Sequence, residues 1–250
     1  MPLLEAESLS VRTADGTRLL DDVNLAVHED ETVLLCGGPG TGKSLLAKAL
    51  TGVLRRRENL EIEGSIERNG EVGLVFQHPE VQLVRQNVRQ DVAFGLENRG
   101  VDREAMANAI ERHAARLDAT ALLDRNVDEL SRGETTLVAI LGVLVTDPEV
   151  LVLDEPLAPL DGYNAGLVLD AIDHLRSRGT SVVVAEHDLR DLLGRGDRVV
   201  LLDDGRVSDR GDPRSLAPAL RETGVKLPFP TELALERGAR GREVPIRTDD

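Results

Sequence analysis

Across 250 residues the chain carries 45 acidic and 30 basic side chains, a net charge of −15, and is 41% hydrophobic, enough to fill the core of one large α/β domain or two small ones. That acidity argues against a nucleic-acid partner, because phosphate binding displaces counterions with Lys and Arg. The longest apolar run, residues 137–145, falls far short of the ~18 residues of a membrane span, no basic leader with an apolar stretch opens the chain, and the single cysteine, Cys36, excludes internal disulfides and cysteine zinc clusters. The expectation is a soluble protein of a reducing cytoplasm. Lysine is confined to Lys43, Lys48 and Lys226, the other basic residues being arginine. An acidic surface repels itself in dilute buffer, while at ~1 M salt the Debye length falls to about 3 Å and screens it. Two origins stay open: a salt-loving host, or an ordinary acidic enzyme from a GC-rich genome that prefers arginine.

Residues 3–11 and 19–27 read as two short strands joined at Ala14-Asp15-Gly16-Thr17, where Asp-Gly is a strong hairpin signal, so an antiparallel flap opens the fold. An apolar run, residues 33–36, then enters Gly37-Gly38-Pro39-Gly40-Thr41-Gly42-Lys43-Ser44-Leu45, and helix-forming residues continue to about 54. Gly37, four residues, then Gly42-Lys43-Ser44 fit the phosphate-binding pattern G-x-x-x-x-G-K-[ST] in the strand-loop-helix setting it requires. Glycines let successive N–H groups turn inward at a phosphate, and the helix opening near Gly42 adds the positive end of its dipole. Lys43 would reach the β- and γ-phosphates, and the Ser44 hydroxyl would hold Mg²⁺.

Residues 62–75 return as extended segments broken at Asn69-Gly70, with Gln77 following the strand 73–76. From about 86 to 145 the pattern turns helical in three stretches, from Asp91, over 103–117 and over 135–145, a helical insert between two parts of a sheet. Pro148 ends it, and residues 149–153 form a continuous apolar strand of the buried parallel kind that ends in Asp154-Glu155-Pro156. Acids at that end of a parallel strand face the ligand crevice. Asp154 would hold Mg²⁺ through its water shell and Glu155 would orient or deprotonate an attacking water. A helix over 166–177, a strand over 180–185, His187, a helix over 188–193, a strand over 198–202 and a turn at Asp204-Gly205 complete an open, mostly parallel sheet. The tail past Gly224, with three prolines, is expected to lie over the surface, with residues 247–250 frayed.

With these motifs in place, the sequence resembles the ATP-binding cassette family over nearly its whole length. GGPGTGKS at 37–44, Gln77, VLVLDEP at 150–156, Leu160-Asp161 and His187 in AEHDL follow the family's order and spacing. The resemblance implies an α/β P-loop NTPase with a mostly parallel sheet, an N-terminal antiparallel β flap and a helical insert over about 86–146. These would form an ATPase domain over 1–224, followed by a C-terminal extension over 225–250. It implies ATP and Mg²⁺ as ligands. The loop 37–45 would bind the nucleotide, and Ser44, Gln77 and Asp154 the metal, while Glu155, His187 and Gln77 would act in hydrolysis. Each ATP would be closed in a head-to-tail dimer between one subunit's loop and Ser131 and Gly133 of the other, with a homodimer and a pairing with a second ATPase subunit both open.

The stretch VGLVFQHPEVQLVRQNVRQDVAFGLENRG, residues 72–100, resembles the ATPases of energy-coupling-factor transporters, the cobalt, nickel and vitamin importers, with Gln82, Asp91, Phe94, Gly95 and Asn98 in step. LPFPTELAL at 227–235 is similar to that group's carboxyl-terminal extension. This implies a subunit on the cytoplasmic face of the cell membrane, docked by an apolar patch at Val81, Leu83 and Val84 onto a transmembrane coupling subunit and powering uptake of a metal ion or vitamin. A weakly hydrolysing regulatory or assembly subunit of a heterodimeric transporter is the alternative. Two departures bear on it. Thr13 stands where the family has an adenine-stacking aromatic, leaving Arg12 or Arg18 to cover the base. The signature, usually LSGGQ, reads Leu130-Ser-Arg-Gly-Glu134. Its spacing is that of a capping box, which places the Glu134 carboxylate at the helix end expected to greet a phosphate, with Arg132 available to offset the charge.

Overall fold

A computed structural model describes residues 1–54, 60–158 and 160–247. In chain order these form β1 (Leu4–Thr13), β2 (Arg18–Val27), β3 (Thr32–Cys36), α1 (Lys43–Leu50), β4 (Leu60–Arg68), β5 (Val72–Val75), α2 (Val88–Asn98), α3 (Arg103–Arg116), α4 (Arg132–Leu144), β6 (Val150–Asp154), α5 (Gly162–Arg176), β7 (Ser181–Glu186), β8 (Arg198–Asp203), β9 (Arg206–Gly211), α6 (Pro213–Glu222) and α7 (Phe229–Glu236). Two sheets result. The flap is three-stranded and antiparallel, in the order β2-β1-β4, and the main sheet runs β5-β6-β7-β3-β8-β9, parallel throughout except for β9.

The period of two along the buried strands sorts side chains between two cores. Val33 and Leu35 of β3, with Val150 and Val152 of β6, face α1 and the flap, where they meet Leu46, Leu50, Leu4, Leu9 and Leu20. Leu34, Leu151, Leu153, Val182 and Val184 point the other way, into α4, α5 and the rest of the helical insert. Because both faces are covered, β3, β6 and β7 are buried at every position, which is why they read as unbroken apolar runs. The helices of the insert begin on side-chain caps: the Asn87 oxygen accepts the Gln90 N–H, Asp102 those of Glu104 and Ala105, and Ser131 that of Glu134.

The α/β architecture, flap and helical insert agree with expectation, and the differences are local. The extended stretch 62–75 divides between sheets, β4 joining the flap and β5 the edge of the main sheet. No helix forms over 188–193, because Asp188 makes a parallel bridge to Lys226 and the Leu189 N–H donates to the Lys226 carbonyl at 2.8 Å. The tail does more than drape the surface. Val225, Leu227, Thr231 and Val244 are buried, and α7 was not foreseen. The expected fraying concerns residues 248–250, which lie outside the described residues.

Candidate active site

Strands β5, β6, β7 and β3 are neighbours, and their carboxyl ends deliver chemistry side by side. Gln77 follows β5, Asp154 and Glu155 end β6, Glu186 and His187 end β7, and the glycine-rich loop leaves β3, the crevice position that open parallel sheets reserve for ligands.

The loop 37–44 is shaped by close approach. A Cβ on Gly37 would stand 2.1 Å from the Leu202 carbonyl oxygen, and Gly42, at φ 102°, would set one 2.8 Å from Leu20 Cδ2, so the start of β2 is pressed against the loop. Pro39 and Gly40 are exposed at the crest, while Thr41 Oγ1 donates to the Gly38 carbonyl at 3.0 Å. Lys43 is 4% exposed, and its ammonium donates to the carbonyls of Gly37 at 2.9 Å and Gly38 at 2.8 Å, curled into its own loop. Burial lowers its pKa, against the pull of Glu155 and Glu186. Ser44 Oγ donates to Asp154 Oδ1 at 2.8 Å, and Leu45 packs with the flap-side core.

Asp154 is 1% exposed, and burial pushes its carboxyl up against the hydrogen bond from Ser44. Glu155 turns the chain out of the sheet at φ 47°, a left-handed backbone that costs a non-glycine residue ~1–2 kcal/mol, and its N–H donates to the Ala185 carbonyl at 2.9 Å. Its carboxylate accepts from Gln77 Nε2 at 2.7 Å and stands 3.7 Å from His187 Nδ1. The structure thus groups Ser44 with Asp154, and Gln77 and His187 with Glu155. Among the described residues no cluster of three or more His, Cys, Asp or Glu could hold a metal by itself. A hydroxyl, a buried carboxylate and an amide nevertheless fit Mg²⁺, which keeps several waters and completes its shell from phosphate oxygens.

Ser131 and Gly133 lie at the start of α4, joined by no hydrogen bond or ion pair among the described residues to the loop 37–44. Ser131 Oγ donates to Asn164 Oδ1 of α5 at 2.8 Å, and a Cβ on Gly133 would meet Asn164 Cβ at 2.6 Å. The capping box is closed: the Glu134 N–H donates to Ser131 Oγ at 3.3 Å and Glu134 Oε2 accepts the Ser131 N–H at 2.7 Å. The offsetting cation is Arg125 and not the expected Arg132, its Nη1 donating to Glu134 Oε1 at 2.8 Å. The Ser131 N–H, with help from Arg125, holds the Glu134 carboxyl below the usual range.

Gln82 and Asp91 close the loop after Gln77. Gln82 accepts the Phe76 N–H at 3.2 Å and donates to the Leu74 carbonyl at 3.1 Å, while Asp91 Oδ1 accepts the N–H groups of Val84 at 2.6 Å and Arg85 at 2.8 Å. Held this way, the loop leaves Val81 and Val84 exposed, with Leu83 packed inward. In the flap, Thr13 is spent on its own turn, bonded to Asp15 and to the Thr17 carbonyl. Arg18 is tied to Asp21 at 2.5 Å, whereas Arg12 has only a long contact to Glu63 at 3.9 Å and a buried Nε without a partner.

Sequence reasoning missed Glu186, Arg125 and Asn164. Glu186 had a readable signal, an acid as the last residue of an apolar strand, directly before His187. A glycine-rich loop with an inward lysine, a serine bonded to a buried strand-end aspartate, and a neighbouring glutamate define a P-loop nucleoside triphosphatase. The sequence model of the ABC transporter family matches residues 20–158. The chain is 35% identical over 229 residues to the energy-coupling factor transporter ATP-binding protein EcfA1 of Bacillus subtilis, covering 87% of this chain and 81% of that protein. It is 38% identical over 236 residues to a protein of Halobacterium salinarum described as an ABC transporter ATP-binding protein, covering 90% of this chain and all of the other. The solved structure of cbiO1 from Clostridium perfringens, described as part of the ABC transporter complex cbiONQ, is 28% identical and superimposes with a TM-score of 0.77 over 94% of this chain and 95% of that one. The chain belongs to the ABC transporter family, among its ATPase subunits.

Proposed function

We propose that this chain binds and hydrolyses ATP with Mg²⁺ to power a membrane importer of the energy-coupling-factor type, for a metal ion or vitamin. The observation that carries the reading is the convergence of Lys43, Ser44, Asp154, Glu155, Gln77 and His187 on four adjacent strand ends. Bound Mg²⁺, held by Ser44 and Asp154 with Gln77 at its edge, would neutralise phosphate charge. Lys43 exchanges the carbonyls of Gly37 and Gly38 for phosphate oxygens, while loop N–H groups and the opening of α1 supply the remaining positive field. Glu155 takes the proton of the attacking water, held in line by Gln77, and His187 contacts the terminal phosphate. Arg12, freer than Arg18, lies over the base in place of an aromatic.

A head-to-tail dimer completes each site with Ser131 and Gly133 of a second ATPase subunit. The Arg125 ion pair favours a working signature on this chain, which keeps a homodimer open beside a heterodimer. The exposed Val81 and Val84 offer a socket for a transmembrane coupling subunit, and no helix among the described residues is long and apolar enough to cross a membrane itself. Lys43→Ala should abolish nucleotide binding and turnover, and tagged protein should co-purify a membrane subunit. Parent-like ATP affinity in Lys43→Ala would contradict the nucleotide site, and capture of no membrane subunit would contradict the transport role.

A further inference from the structure

Glu186 is the last residue of β7 and is 1% exposed. Its two carboxyl oxygens serve different segments: Oε1 accepts the Leu157 N–H at 3.1 Å, in the turn that follows Glu155, and Oε2 accepts the His187 N–H at 3.2 Å. One buried side chain therefore ties together the two backbone segments that carry Glu155 and His187. The imidazole sits between both acids, with Nδ1 3.6 Å from Glu186 Oε2 and 3.7 Å from Glu155 Oε1. The titratable groups around Glu186 come from each neighbouring strand end: Cys36, its register partner in β3, Lys43 beyond β3, Asp154 and Glu155 at β6, and His187 itself. Lys43 is bonded to loop carbonyls, so among the described residues no lysine or arginine pairs with Glu186.

A buried carboxylate without a cation opposes folding, and a neutral side chain would fit the end of an apolar strand better. Burial pushes the Glu186 carboxyl up to about 7, against the Leu157 N–H and with the Glu155 charge adding to the rise. Groups kept at such a cost concentrate where geometry matters for function.

We infer that Glu186 is a positioning residue for hydrolysis, bracketing the Leu157 turn to the His187 segment and so fixing Glu155 and His187 against the nucleotide. The inference rests on the proposed ATPase reading. Two N–H donors need two acceptor oxygens at a set span. Glutamine offers one acceptor and turns a donor towards the other N–H, while aspartate keeps the charge but is a methylene too short to span both.

The test is steady-state ATPase activity of the full chain, with its co-purifying ATPase subunit where one is found, for the parent, Glu186→Gln, Glu186→Asp and a Glu155→Gln control. Both Glu186 variants should lose roughly ten-fold or more in kcat, with KM for MgATP within about two-fold because the phosphate loop is untouched. Glu186→Gln should melt no lower than the parent at about pH 8, which separates positioning from bulk stability, and Glu186→Asp answers alone if the glutamine variant does not fold. A kcat within about two-fold of the parent in the Glu186 variants, or one recovered wholly by lowering the temperature, beside an inactive Glu155→Gln, would overturn the bracket and leave the ATPase reading intact. Parent-like turnover by Glu155→Gln would instead overturn the reading beneath it.

Discussion

Replacing Glu186 by glutamine should change stability in a pH-dependent way whose sign and size follow from its burial. The ordinary value of 4.5 for a glutamate carboxyl is pushed up to about 7 in the fold. The folded state therefore holds the proton more tightly than the unfolded chain between these limits, and stability falls as pH rises through the window. The contribution is intact below about pH 4.5 and lost above about pH 7, and at ~1.4 kcal/mol per pH unit the interval amounts to about 3 kcal/mol. For a chain of this size that is roughly 6–12 °C in melting temperature. Glutamine cannot ionise, so the variant escapes the loss, though it gives up one acceptor at about 1–3 kcal/mol. The melting temperature of Glu186→Gln minus that of the parent should climb from about pH 5 to about pH 8 and then level. Taking the difference cancels the carboxylates that titrate in the opposite sense, such as Glu31 and Glu134, both held low. A difference that is flat with pH, or that grows as pH falls, would refute the reasoning.

Three further outcomes are expected. Arg125→Ala should lower stability by under ~1 kcal/mol, both partners being partly exposed, yet reduce turnover at sites that use this chain's signature, since like charges ~4 Å apart repel by about 1–4 kcal/mol. Adding Glu134→Gln should restore it, and ATPase assays with melts of both variants check the pair. Gly73→Ala would place a methyl 2.2 Å from Val143 Cγ1, wedging β5 from α4, and should cost about 1–3 kcal/mol in denaturant unfolding. With a net charge of −15, the melting temperature should rise as KCl goes from ~0.1 to ~2 M, and a flat or falling trend would remove the argument from charge repulsion.

What could be read from the sequence was chemistry written in consecutive residues. The loop 37–44 and the acids after β6 each occupy a few adjacent positions, and local pattern sufficed to set them at strand ends. Pairing across the chain decided the rest. The segment 188–193 has a helical look, but Lys226, 38 residues after Asp188, holds it extended. Strand β9, RVSDRG, has almost no apolar signal and forms only because β8 offers an edge. The start of α6 was legible in hindsight, with Asp212 capping two N–H groups and Pro213 at the first helical position. The Arg125 contact was not, because nothing local shows that the turn before α4 folds back onto Glu134.

The central claim is that Glu155 drives hydrolysis at a site the loop 37–44 and Asp154 build for ATP. The most direct test is a paired measurement on Glu155→Gln, ATP binding and phosphate release per site, with the chain alone and with any co-purifying ATPase subunit. The account predicts retained ATP binding, a closed dimer trapped by ATP, and release slowed by at least roughly a hundred-fold. Phosphate release at the parent rate with ATP bound would contradict it.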